Sequence, residues 1–345
     1  MYLIASSEDL PLGTAFELKL KNGKSVNIDI IEPFVEERKP ASGKAGQEIL
    51  SSFQEADKPI TSTKKGKKEH RIKEERLKKK VGTSINGYTI LEYLGRDTMI
   101  DTFKVVSSNQ EVALEFLTGM PSYKIETALK LAELLKEYEH PNLARVYGSG
   151  YDKGLRKHYL VRELLECRSL KQMLEEGAAF PLERALKYCL QIAKGMEALH
   201  LKGIIYLNIN PEHIFVTAED LIKIGFSFFE LHPSIKKESD SLLVGTPLFM
   251  SPEQCVGSDL DLRSDIYGMG VLFYKLITGK YPFTGENSFD ILEKHITEVP
   301  VPPSQLRPEI PSVITEIVLK MLQKIPAERF QNCAEIIEKL APFTK

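Results

Sequence analysis

A chain of 345 residues with 42% hydrophobic content can hold one large domain and a substantial extra segment, which excludes a protein disordered throughout. Its 46 basic and 48 acidic residues leave a formal charge of −2, so the overall balance asks for neither nucleic acid nor an anionic membrane as a partner. Cys167, Cys189, Cys255 and Cys333 form no C-x-x-C pair and read as ordinary thiols of a reduced compartment, not as a metal site or disulfide framework.

In chain order, the N-terminal MYLIASSEDLPLG lacks the positive region of a secretory signal. No run of 18 apolar residues occurs anywhere, so the sequence predicts a cytoplasmic protein with no transmembrane segment. Residues 14–32 alternate in polarity on both sides of Asn22-Gly23, a pair suited to a tight turn, and predict a β-hairpin within an N-terminal segment spanning 1–37. From 38 to 87 apolar content falls and Lys, Glu, Ser and Gly dominate, which predicts a charged flexible linker. Inside it, Lys64 to Lys80 has ten Lys or Arg against three Glu, enough to contact an acidic surface or RNA. With no Phe, Tyr or Trp interleaved to stack on bases, a solvated linker is the plainer reading.

From Tyr88 short β-rich runs reach about Val161, and amphipathic segments follow, among them Pro181 to Lys202, Ser264 to Thr278 and Ile310 to Gln323. This order predicts an α+β architecture over 88–343, a β-rich lobe followed by a helical one.

Separated motifs then occur in a fixed order. They are Gly245-Thr-Pro-Leu-Phe-Met-Ser-Pro-Glu253, Asp261-Leu-Arg-Ser-Asp-Ile-Tyr-Gly-Met-Gly270, Leu276-Ile-Thr-Gly-Lys-Tyr-Pro-Phe283 and Lys324-Ile-Pro-Ala-Glu-Arg-Phe330. Together they resemble the C-lobe of the bacterial-type, eukaryotic-like serine/threonine protein kinase family, and the resemblance covers roughly 88–343. It implies a bilobal protein-kinase-like fold. It also implies that Glu253 pairs with Arg329 to tie the activation segment to the last helices, and that Asp265 braces the catalytic loop from the central helix.

The same resemblance locates the phosphoryl-transfer positions, where this chain departs from the family. Leu94 to Phe103 stands at the Gly-rich loop G-x-G-x-x-G-x-V but keeps only Gly95, with Asp97 and Ile100 at the other glycine positions. A Cβ at those positions obstructs close approach of backbone to phosphate, and Asp97 adds negative charge beside an anionic ligand. Glu115, in Val112-Ala-Leu-Glu115, replaces the phosphate-binding lysine with the opposite charge. The helix position of that lysine's partner is Leu131, with Glu133 near it in a shifted register. Arg162 takes the gatekeeper position and is expected to pair with Glu115.

In Tyr206-Leu-Asn-Ile-Asn-Pro-Glu-His213, set against H-R-D-x-K-P-x-N, Asn208 replaces the base, Asn210 the lysine and His213 the metal-binding asparagine. An amide lacks a carboxylate's basicity, and losing general-base assistance costs about 10²–10⁴ in rate. Gly225 stands where the family has the principal magnesium ligand, an aspartate, and no aspartate lies in a nearby register. Leu207 replaces the arginine that reads a phosphate on the activation segment, although Ser234, Ser239 or Ser241 could still be modified by another enzyme.

These replacements lead to the expectation of a pseudokinase. It would be no enzyme, with no catalytic residue intact, no metal and no cofactor beyond weak magnesium-independent ATP binding. Such a protein would act as a scaffold or allosteric regulator of a protein partner, an active kinase or another signalling protein. The alternative is an atypical serine/threonine kinase or nucleotide-binding sensor with rearranged residues. The apolar stack through both lobes persists as Leu135, Val146 and Tyr206, with Phe226 as its fourth member.

Overall fold

A computed structural model describes residues 15–19, 25–29, 80–96, 100–118, 120, 122–176, 180–226, 242–243 and 246–344. Asp97, the Asn22-Gly23 turn, nearly all of the basic run and Ser234, Ser239 and Ser241 lie outside the described residues.

Strands β1 (Ala15–Lys19) and β2 (Ser25–Asp29) pair antiparallel. The N-lobe follows with β3 (Ser84–Ile85), β4 (Tyr88–Arg96), β5 (Ile100–Ser107), β6 (Gln110–Leu117), helix α1 (Ser122–Leu135), β7 (Val146–Asp152) and β8 (Lys157–Glu163). These strands form one sheet in the order β3-β4-β5-β6-β8-β7, with antiparallel neighbours. Ser108 and Asn109, at φ 50° and 62°, make the two-residue turn between β5 and β6, whose twist suits the flanking strands. That turn fixes the register of β6, and the two-residue side-chain period does the rest. Val112, Leu114 and Phe116 enter a cluster with Ile90, Phe103, Val105, Tyr159 and Val161, which leaves Glu115 on the opposite face.

The second lobe comprises β9 (Arg168–Ser169), α2 (Leu170–Glu176), α3 (Leu182–His200), β10 (Ile214–Val216), β11 (Ile222–Ile224), β12 (Leu242–Leu243), α4 (Pro252–Val256), α5 (Leu262–Thr278), α6 (Ser288–Thr297), α7 (Pro303–Leu306), α8 (Ser312–Met321) and α9 (Cys333–Leu340). Helix α5 is its axis. Ile266, Tyr267, Met269, Val271, Leu272, Leu276 and Ile277 are all fully buried, so it is apolar all round as a central helix must be. Asp261 caps its start by accepting from Arg263 N, and Gly279 ends it at φ 76°, where a side chain would be strained. Helix α8 starts at Ser312, not at Ile310, because Pro311 precedes it in extended conformation.

β12 pairs in parallel with β2, placing Leu242 opposite Asn27 and Leu243 opposite Ile28, so the N-terminal strand pair joins Leu242–Leu243 through backbone hydrogen bonds. Among the described residues no helix is long and apolar enough to cross a membrane.

Candidate active site

The catalytic-loop positions are held from beneath by α5. Asp265 is 1% exposed; its Oδ2 accepts from Tyr206 N and its Oδ1 from Leu207 N, both at 2.7 Å. Leu207 sits at φ 61°, a left-handed conformation costing on the order of 1 kcal/mol for such a residue, and Gln254 Nε2 donates to its carbonyl at 3.0 Å. The backbone is thus turned so that Asn208 and Asn210 both point inward.

Both are buried, and both reach Thr246, a residue the sequence reading did not single out. Asn208 Oδ1 accepts from Thr246 N at 3.3 Å and from its Oγ1 at 3.2 Å, while Asn210 Nδ2 donates to Thr246 Oγ1 at 3.4 Å. Asn210 Oδ1 also caps the short turn Pro211–His213 by accepting from Glu212 N at 2.7 Å. This polar triangle clamps the catalytic loop to the end of the activation segment. An amide serves here because it donates and accepts at once, which an ionised carboxylate cannot do.

Above the loop, Glu115 on β6 and Arg162 on β8 meet in an ion pair. Adjacent antiparallel strands bring them together, with Glu115 opposite Leu160 and Arg162 opposite Ala113. The Glu115 side chain is 4% exposed and that of Arg162 22%. Burial works against the guanidinium charge, but the Glu115 carboxylate outweighs it and holds the Arg162 pKa above its ordinary value. Glu115 Oε2 is buried without a hydrogen-bond partner among the described residues. Leu131 is buried in the core, and Glu133 lies outside, paired with Lys136. Ile100 is also buried and joins the same apolar cluster, while Gly95 adopts φ 138° within β4.

At Gly225 the carbonyl accepts from Tyr206 Oη at 2.5 Å and the N–H donates to His213 O at 2.7 Å. A Cβ here would lie 3.1 Å from the Phe215 ring and 3.3 Å from His213 O, so the surroundings have closed around the missing side chain. Phe226, partly buried, packs against the cluster holding Leu135, Val146 and Tyr206. Gly225→Asp is therefore expected to lower stability by about 1–3 kcal/mol through crowding, without conferring magnesium binding, as thermal melts with and without magnesium will show.

The residues present do not fit a magnesium site. Gly225 offers no side chain, Asn208 and Asn210 are committed to Thr246, and an imidazole at position 213 is a poor ligand for so hard a cation. Lys223, beside Gly225, turns away to Glu163 Oε2 at 3.1 Å and Leu143 O at 3.4 Å. The charges of the cleft pair with one another, Glu115 with Arg162 and Lys223 with Glu163.

Farther down, Glu253 and Arg329 form a bidentate pair at 2.6 and 2.7 Å, and Ser264 Oγ donates to Glu253 Oε1 at 2.8 Å. Capping box Ser251–Gln254 fixes the start of α4 and so the position of Glu253.

Comparison with known proteins agrees with this geometry. The model of the protein kinase domain family matches residues 88–340. A probable serine/threonine-protein kinase of Clostridium acetobutylicum is 30% identical over 268 residues, covering 76% of this chain and 40% of that protein. One from Clostridium perfringens is 29% identical over 266 residues, 75% of this chain and 38% of its own length, and a serine/threonine-protein kinase of Myxococcus xanthus is 31% identical over 274 residues, 74% and 32%. The chain spans about two fifths or less of the length of these relatives. The expectation of a protein that is no enzyme is corrected by these matches, because a kinase domain with relatives named as kinases points to a kinase enzyme. From β-rich lobe through clamped loop to the Glu253–Arg329 tie, the chain belongs to the protein kinase family.

Proposed function

We propose that the chain is an atypical serine/threonine protein kinase domain that binds nucleotide and transfers phosphate slowly through a rearranged cleft. The observation that carries this reading is the clamped loop, in which Asp265, Asn208, Asn210 and Thr246 keep a defined geometry at the transfer position. Phosphoryl transfer has a loose transition state that depends mainly on positioning, so a loop that orients an acceptor hydroxyl retains part of its value without a base. The missing base and the Glu115–Arg162 pair set the expected turnover well below the usual range of about 1–100 per second. Incubation with γ-labelled ATP and protein acceptors tests it: label on serine or threonine, lost in Asn208→Ala, supports the reading. Label that persists unchanged in Asn208→Ala marks a contaminating kinase and contradicts it.

A second reading, allosteric regulation through the N-terminal segment, is favoured by the parallel pairing of β2 with β12, since β12 leads into Thr246. Removing residues 1–37 is then expected to change nucleotide affinity or transfer rate several-fold, measured against the intact chain; equal values speak against it. Signalling proteins, an active kinase among them, are the proposed partners, and contact of Lys64 to Lys80 with an acidic surface or RNA is a further, salt-sensitive proposal. The free thiols of all four cysteines support a cytoplasmic setting for it.

A further inference from the structure

We infer that Glu197, His200 and Cys333 form a zinc site behind the catalytic loop. One ligand atom from each residue lies within 4.8 Å of the other two. Glu197 and His200 are three apart on the last turn of α3 and so share a face, while Cys333 begins α9 across from them. Cys333 Sγ lies 3.5 Å from His200 Nδ1. Tetrahedral zinc with a sulfur at about 2.3 Å and an imidazole nitrogen at about 2.0 Å holds those two donors about 3.5 Å apart.

The other imidazole nitrogen is already set for this role. His200 Nε2 lies 2.8 Å from Asp265 Oδ2, and a proton donated there leaves Nδ1 with its lone pair turned to Cys333. A metal-bound histidine oriented by a carboxylate on its far nitrogen is the usual outer-shell arrangement around zinc. A simple S–H···N hydrogen bond also accounts for the 3.5 Å distance, but it leaves Glu197 unexplained. Glu197 Oε2 is buried and has no hydrogen-bond partner among the described residues, a costly condition that a cation relieves.

On binding, the Cys333 thiol releases its proton to solvent as the metal–sulfur bond forms, with no change of oxidation state. Sulfur, nitrogen and a single carboxylate in a partly buried site select zinc over magnesium or calcium. The fourth position falls to water or to the second Glu197 oxygen. Through His200 and Asp265 the ion would brace the backbone of Tyr206 and Leu207, giving the catalytic loop a metal-dependent support outside the cleft.

The test uses the intact chain stripped with a chelator, desalted, and titrated with zinc or cobalt(II) alone. A single retained equivalent, a thiolate-to-cobalt charge-transfer band and a zinc-dependent rise in Tm are expected. Cys333→Ser should abolish the band, Glu197→Gln should weaken metal affinity at least about 10-fold, and Cys167→Ser, outside the cluster, should change neither. Failure to retain metal after desalting, or a band that survives Cys333→Ser, overturns the site. If Cys333→Ser does not fold, Glu197→Gln decides: unchanged affinity overturns it.

Discussion

Replacing Arg329 with alanine is expected to lower the unfolding free energy by about 3–5 kcal/mol, because it leaves the Glu253 carboxylate buried and uncompensated. Arg329 is 2% exposed, and its guanidinium satisfies five acceptors. It donates from Nε to Gln323 O, from Nη1 to Glu253 Oε1 and Arg263 O, and from Nη2 to Glu253 Oε2 and Lys324 O. The Tyr267 ring lies beneath, 5.0 Å from the guanidinium carbon. In a domain of this size the loss corresponds to a fall in Tm on the order of 10 °C, read by calorimetry or circular dichroism. Arg329→Lys should recover little, since three donors on a tetrahedral ammonium cannot serve five acceptors set out for a planar fork.

The pair also carries a pH dependence whose sign follows from its geometry. Burial tends to raise the Glu253 pKa, but the Arg329 hydrogen bonds and charge outweigh it and hold it below the usual glutamate range. A carboxylate depressed on folding stabilises the native state above its unfolded pKa and loses that contribution as pH falls through the folded one. Wild-type stability should therefore drop below about pH 4.3, while Glu253→Gln should show a smaller drop over the same range.

Glu115→Lys is expected to cost about as much at the other end of the molecule. It replaces the partner of Arg162 with a second cation at a position that is 3% exposed. A fall of about 3 kcal/mol or more, with a Tm lower by roughly 6 °C or more, is expected because the partly exposed Arg162 can relax only in part. The swap Glu115→Lys with Arg162→Glu should return much of the loss, and that double-mutant cycle isolates the pair from the packing around it. An unchanged Tm in Glu115→Lys, together with new ATP binding, would show that Arg162 does not depend on this partner.

Much of this architecture is legible in the sequence because it rests on local signals. The β-rich runs from Tyr88, the amphipathic segments after them and the ordered C-lobe motifs suffice for the bilobal fold. Glu115 and Arg162 stand out as opposite charges on strands that the fold makes neighbours. Other parts are not legible in this way. The convergence of Asn208 and Asn210 on Thr246 depends on how the activation segment returns over the loop, 36 to 38 residues later. The filled space at Gly225 is a matter of where the Phe215 ring lies. His200 and Cys333 are 133 residues apart, so their approach to 3.5 Å leaves no trace in the cysteine spacing. Tertiary closure decides each of these, and periodicity carries no record of it.

The reading of the emptied motifs as loss of enzyme function also shows where residue-by-residue chemistry misleads. Losses within one cooperative site are not multiplied, and the loop's shape is held by Asp265 and Thr246, not by the replaced residues alone.

The most direct test is nucleotide binding by thermal shift with and without magnesium, run beside transfer of γ-labelled phosphate on the same preparation. A nucleotide-dependent rise in Tm that does not require magnesium, with slow label transfer abolished by Asn208→Ala, is the predicted result. No shift under either condition and no label above background would contradict an atypical kinase.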